Sequence, residues 1–129
     1  MPDYQPVNAS DVLPFTKTVG ATAVTGGQLV SVSGDNTVIP STAGDHSIGV
    51  AAHDAGIGLR VSVWPLSGVI HESTPQGVVA VAAGVPVIAG TTGFINTAAL
   101  GVAAAAGTLL GTCTKGGTGG TSKAQWIGS

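Results

Sequence analysis

The sequence predicts an all-β protein, and three observations carry that prediction. Across residues 44–73, apolar side chains recur at every second position: Ile48, Val50 and Ala52, then Leu59, Val61 and Val63. Those runs are bounded by Gly, Asp and Pro, as half-buried antiparallel strands separated by turns are. Glycine, 21 of 129 residues, punctuates the rest of the chain in the same way. Residues 44–73 read as strand, acidic turn, strand, turn, strand, and are expected to form the central sheet.

Taken in order, residues 1–18 read as an extended N-terminal arm. Pro2, Pro6 and Pro14 fix φ and remove backbone donors, which excludes a helix or a central strand. Tyr4, Val7, Val12, Leu13 and Phe15 give the arm apolar anchors. Such an arm frays unless it is tied down, so it is expected to dock on its own domain or on a neighbour. The low charge of the chain favours a neighbour.

The β-domain is expected to occupy residues 19–129. Residues 29–33 form a strand that ends at the turn Gly34-Asp35-Asn36, and Val38-Ile39 return until Pro40 stops them. After the segment 44–73, residues 73–77 are a loop. The second half then repeats the first in outline. Residues 78–88 answer 24–30, Gly93-Phe94-Ile95-Asn96 answer 34–39, residues 109–113 answer 47–51, and residues 123–127 answer 59–63. Trp64 and Trp126, near the ends of these strands, are read as occupying matching places, each in the core or in a subunit contact, with the core favoured. Residues 97–106, rich in Ala, are the one helix candidate; Gly101 and Gly107 leave a single turn or a loop equally open.

Composition bounds the function. Charged residues are 8% of the chain, against roughly 25% in an average globular domain. Either the surface is a Ser/Thr coat over an Ala-rich β-protein, or, the favoured reading, other subunits cover much of it. A net charge of −2, with Lys17, Arg60, Lys115 and Lys123 scattered, argues against nucleic acid. No charge occurs between Glu72 and Lys115, but the apolar runs there are too short for a membrane span. The N-terminus has no basic region followed by an apolar stretch, so synthesis in a cytoplasm is expected.

No catalytic or metal-ligating constellation emerges, and no cofactor is expected. His46, His53 and His71 each sit beside an acid, but adjacent strand residues point to opposite faces, so these pairs are not dyads. All three read as solvated turn histidines. Cys113 is the only cysteine and reads as a buried, inert thiol. The run Lys115-Gly116-Gly117-Thr118-Gly119-Gly120-Thr121 places its Lys before the glycines and has no helix after them, so it is a hairpin turn and not a phosphate loop. No G-x-S-x-G elbow occurs.

The runs VTGGQLVSVSGDNTV (24–38) and IGVAAHDAGIGLRVSVWPLSGVIHE (48–72), with AAGVPVI at 82–88, resemble the small capsid decoration (cement) proteins of tailed bacteriophages. The resemblance covers most of residues 19–127 and not the arm. It implies a small β-barrel or β-tulip-like fold, a homotrimer on the outer capsid surface between subunits of the major capsid protein, and a mechanical role. Such a protein is made in the host cytoplasm and stabilises the expanded shell against the pressure of packaged DNA. On that reading the contact residues are Tyr4, Val7, Leu13 and Phe15 on the arm, Asp54 in the turn 53–58, and Trp64 just before the turn 65–68. The alternative is a carbohydrate- or host-binding β-module of a phage surface or fibre protein.

Overall fold

The computed structural model describes residues 3–9, 12–98 and 100–129. Residues 1, 2, 10 and 11 of the expected arm, and Ala99 of the expected helix, lie outside the described residues. The fold is all-β, as expected. Strands Phe15–Val19 (β1), Leu29–Gly34 (β2), Thr37–Pro40 (β3), Ser47–Ala51 (β4) and Arg60–Pro65 (β5) close a barrel in the order β1-β3-β2-β4-β5. Closure comes from β1, which runs antiparallel to β5 (Phe15 opposite Val63) and parallel to β3 (Val19 opposite Val38). The barrel interior is almost wholly aliphatic: Val19, Val24, Val30, Val38, Ala51, Ala55, Val61 and Val63, with Phe15 and Ile48 packed against them.

β1 takes the last four residues of the expected arm. The prolines end at Pro14, and from Phe15 the chain has free backbone donors and β-forming side chains, so it pairs with β5 along its whole length.

The second half builds a five-stranded sheet from Ile70–Ser73 (β6), Pro86–Ala89 (β8), Ile95–Asn96 (β9), Gly111–Lys115 (β10) and Ala124–Gly128 (β12), in the order β6-β12-β10-β8-β9. Ala80–Val81 (β7) and Gly117–Thr118 (β11) pair beside it. The chain beyond β6 runs parallel along β9: Ile95 N donates to Thr74 O at 3.1 Å and Gln76 N to Ile95 O at 2.9 Å. This contact draws the sheet round on itself as β1 and β3 close the barrel.

The register makes the duplication explicit. Val24, Val30, Val38, Ala51, Val61 and Val63 stand where Val81, Val87, Ile95, Cys113, Ala124 and Trp126 stand in the second half. Gly27 (φ 92°) and Gly84 (φ 88°) occupy the same left-handed turn, their amides donating to Ala51 O (2.8 Å) and Cys113 O (2.7 Å). Gly49 and Gly111 are also equivalent: a Cβ on either would overlap the carbonyl of the facing strand, of Trp64 and Ile127 respectively.

Two expectations are corrected here. Residues 44–73 are not one central sheet: β4 and β5 belong to the barrel, whereas β6 pairs with β12. The intervening turn, with Pro65 at its start and Gly68 at φ +72°, hands the chain from one half to the other. Nor do the tryptophans match. Trp126 is opposite Cys113 and Trp64 is opposite Val50, one position out of step. A shift of one residue turns a strand side chain to the other face; Trp126 is therefore fully buried inside the second half and Trp64 lies outside the barrel, half-buried.

The helix candidate resolves to α1, Leu100–Ala106. Gly107 at φ +71° ends it, with Gly107 N bonded to Ala104 O and Thr108 N to Ala103 O, a Schellman closure. Leu29 and Val50, on the outside of the barrel, join the core of the second half with Val81, Val87, Ile95 and Trp126. The two halves share one apolar seam.

Candidate interaction surfaces at the seam

Residues 3–9 form a strap across that seam. Asp3 bridges His53 on the barrel side, and Asn8 bridges Ile70 on the other. Between them, Tyr4 N donates to Ala52 O at 2.6 Å and Val7 N donates to Ile70 O at 2.8 Å. Trp64 Nε1 donates to Tyr4 O at 3.2 Å. The barrel's outward tryptophan therefore holds the strap's backbone.

The Tyr4 side chain reaches into the second half. Its hydroxyl lies 2.7 Å from His71 Nδ1, and His71 Nε2 lies 2.8 Å from Pro65 O. A carbonyl only accepts, so Nε2 carries the proton, Nδ1 is the acceptor and Tyr4 Oη donates to it. Glu72 N donates to the same phenolic oxygen at 3.1 Å. The rings follow suit: Tyr4 stacks on His71 at 5.9 Å between centroids, and His71 lies 5.1 Å from Trp126. Trp126 Nε1 ends the chain of contacts on Ser73 Oγ at 3.0 Å. Burial holds the His71 imidazole neutral, lowering its pKa to about 4, and pushes the Tyr4 phenol up.

His71 is thus not a solvated turn histidine. It alternates with Val69 and Ser73 on the inward face of β6 and is fully buried. His46 is exposed, as read from the sequence. His53 is half-buried, its Nδ1 3.0 Å from Asp54 O while its Nε2 accepts from Ser62 N at 3.2 Å. Local sequence gave one usable signal for His71, its parity with Val69.

The structure brings together only some of the expected contact residues. Tyr4 and Trp64 meet, within the chain itself. Phe15 packs against the barrel core. Asp54 accepts from Gly26 N at 2.9 Å, tying its turn to the one that lines the cleft beside the strap. Val7 and Leu13 remain exposed, at 51% and 80%, beside Ile57, Leu59 and Val78 elsewhere on the surface.

A cleft of about 320 Å³ opens beside the strap, lined by Asp3, Tyr4, Gly26, Gly27, Glu72, Phe94 and Lys123 among others. A shallower groove of about 360 Å³ runs past Ala23, Asp54, Gly56 and Leu59. Among the described residues, no three His, Cys, Asp or Glu side chains gather as metal ligands, and no helix is long and apolar enough to cross a membrane. Cys113 is buried, and burial raises its thiol pKa.

No family model and no curated protein sequence matches the chain. Among solved structures, the chain is similar to the head fiber gp8.5 N base of bacteriophage phi29. The two share 15% sequence identity and a TM-score of 0.69, over 92% of this chain and 94% of that one. At that identity the likeness shows a common fold.

Proposed function

We propose that this chain is a structural protein of a phage virion that attaches to the outer surface of the capsid, between subunits of the major capsid protein. The observation that carries this reading is the two-way overlap with the base of a phage head fiber, which leaves under a tenth of either chain unmatched. Fold alone does not fix function, and the surface adds to the case. Charged residues are only 8% of the chain, and Val7, Leu13, Ile57, Leu59 and Val78 are apolar and open. Repetition around a shell multiplies such weak contacts by effective concentration. Copies associate as homotrimers on the shell, where they stabilise the expanded form against packaged DNA.

Purified chain mixed with expanded, empty shells of the phage that encodes it should co-sediment with them and raise their melting temperature. Replacing Val7 and Leu13 by Asp should weaken co-sedimentation at least tenfold while leaving the fold intact. Absence of binding by the unaltered chain overturns the proposal. Three-fold density on the shell supports the trimer, and isolated copies refute it.

One observation favours a second reading, a host-glycan contact: the cleft sets the partly exposed Phe94 ring near Asp3, Glu72 and Lys123. Aromatic faces and carboxylates suit sugar rings. Glycan-array binding that Phe94→Ala abolishes would favour it; a blank array with the unaltered chain removes it.

A further inference from the structure

The strap, the seam and a buried imidazole meet at one point, and nothing in the proposed attachment requires that they do. We propose that Tyr4, His71 and the Pro65 carbonyl form an acid-released latch, in which a proton on His71 frees strap residues 3–9 from the seam while both halves stay folded.

The geometry allows no comfortable protonated form. His71 Nε2 already donates to Pro65 O, and Nδ1 is the acceptor for Tyr4 Oη. A second ring proton would set two donors against each other. It would also place a cation in a fully buried site, a desolvation cost that the neighbouring faces of Tyr4 and Trp126 offset only in part. If the Tyr4 oxygen turned to accept from Nδ1, it would do so beside the Glu72 N–H it already serves, and its own proton would need a new acceptor.

The groups around His71 can be named by element. Tyr4 faces it from the strap, Trp126 from β12, Glu72 and Ser73 are its neighbours on β6, and Pro65 ends β5. Cys113 of β10 shares the core with Trp126. Further along the strap, Asp3 bridges His53, a second imidazole, whose Nε2 accepts from Ser62 N.

The sign follows from burial. His71 is held at about 4, below the ordinary 6.5, so the released state binds the His71 proton more tightly than the latched state does. The latch is at full strength above pH 6.5 and weakens as pH falls towards 4, by at most about 300-fold for a shift of this size.

Hydrogen exchange on the whole chain, expressed as protection factors so that intrinsic rates cancel, tests this. Between pH 7 and pH 4 the amides of Tyr4 and Val7 should lose protection at least tenfold, while those of Val30 and Val87 keep theirs. Tyr4→Phe should release the strap at pH 7 and flatten its pH dependence, and His53→Gln should leave the dependence in place. His71→Gln should also flatten it. If His71→Gln fails to fold, Tyr4→Phe alone decides. Strap protection that is constant with pH, or lost only together with the barrel, overturns the latch. So does a pH dependence that disappears in His53→Gln.

Discussion

The two halves share a strand order and a register, yet they solve the interior differently. The first barrel is filled by Val30, Val38, Val61 and Val63, with Phe15 at its end. The second sets Val87, Ile95, Ala124 and Trp126 at the same four places, and His71 where the barrel has Phe15. An aliphatic interior needs nothing beyond its own packing. An interior with an indole and an imidazole needs partners for two ring N–H groups and one ring nitrogen, and it finds them in Ser73, Pro65 and Tyr4. The polar core therefore depends on the seam and the strap, and the aliphatic one does not. That difference teaches where the chain is vulnerable.

The largest effect should come from Trp126→Ala. Truncating a fully buried tryptophan costs ~3–5 kcal/mol through lost burial and a residual cavity. It also removes the surface on which His71 rests. The equivalent change in the barrel, Val63→Ala, should cost about 2 kcal/mol. Denaturant unfolding measures both, and exchange at Tyr4 N should rise only in the tryptophan variant. Equal losses at the two sites would break the asymmetry.

Next in size are the paired glycines. Gly49→Ala and Gly111→Ala each drive a methyl group into a facing backbone carbonyl, which cannot swing aside as a side chain can. Each should cost roughly 2–3 kcal/mol, the upper part of the range for overpacking. Gly101→Ala, in open space within α1, should instead stabilise by up to ~1 kcal/mol. If one member of the Gly49/Gly111 pair tolerates alanine and the other does not, the halves differ in strand spacing as well as in core chemistry.

The sequence aligned residues 47–51 with 109–113 and so paired Gly49 with Gly111, but their close approach to a facing carbonyl came only with the structure. Strands such as β5, whose burial alternates where the letters do, were legible outright. The seam was less legible. Leu29-Val30 and Val50-Ala51 are buried at consecutive positions because one face looks into the barrel and the other into the second half. Period-2 reading assumes one wet face. His71 was misread because its acceptor role is set by Tyr4, 67 residues away, and nothing adjacent to it reports that. Trp64 and Trp126 looked equivalent because one residue of offset is invisible in a chain of Ala, Val and Gly, although it reverses the side chain. Of the expected contact residues, Tyr4 and Trp64 meet each other within the chain.

The smallest predicted effect concerns the outer faces, and it separates equivalence of fold from equivalence of environment. Val50 and Thr112 hold the same place, opposite Trp64 and Ile127 respectively. Val50 is fully buried beneath the second half, whereas Thr112 is exposed. Val50→Thr keeps the shape and adds a hydroxyl to an apolar seam, which should cost about 1–2 kcal/mol. Thr112→Val makes the reverse change where water is the neighbour, and should move stability by no more than ~0.5 kcal/mol. Urea midpoints of the purified chain measure both. A Thr112→Val variant that leaves the lone chain unchanged but alters its binding to shells would mean that the open face, too, acquires a cover in the assembled particle, as the first barrel acquires one within the chain.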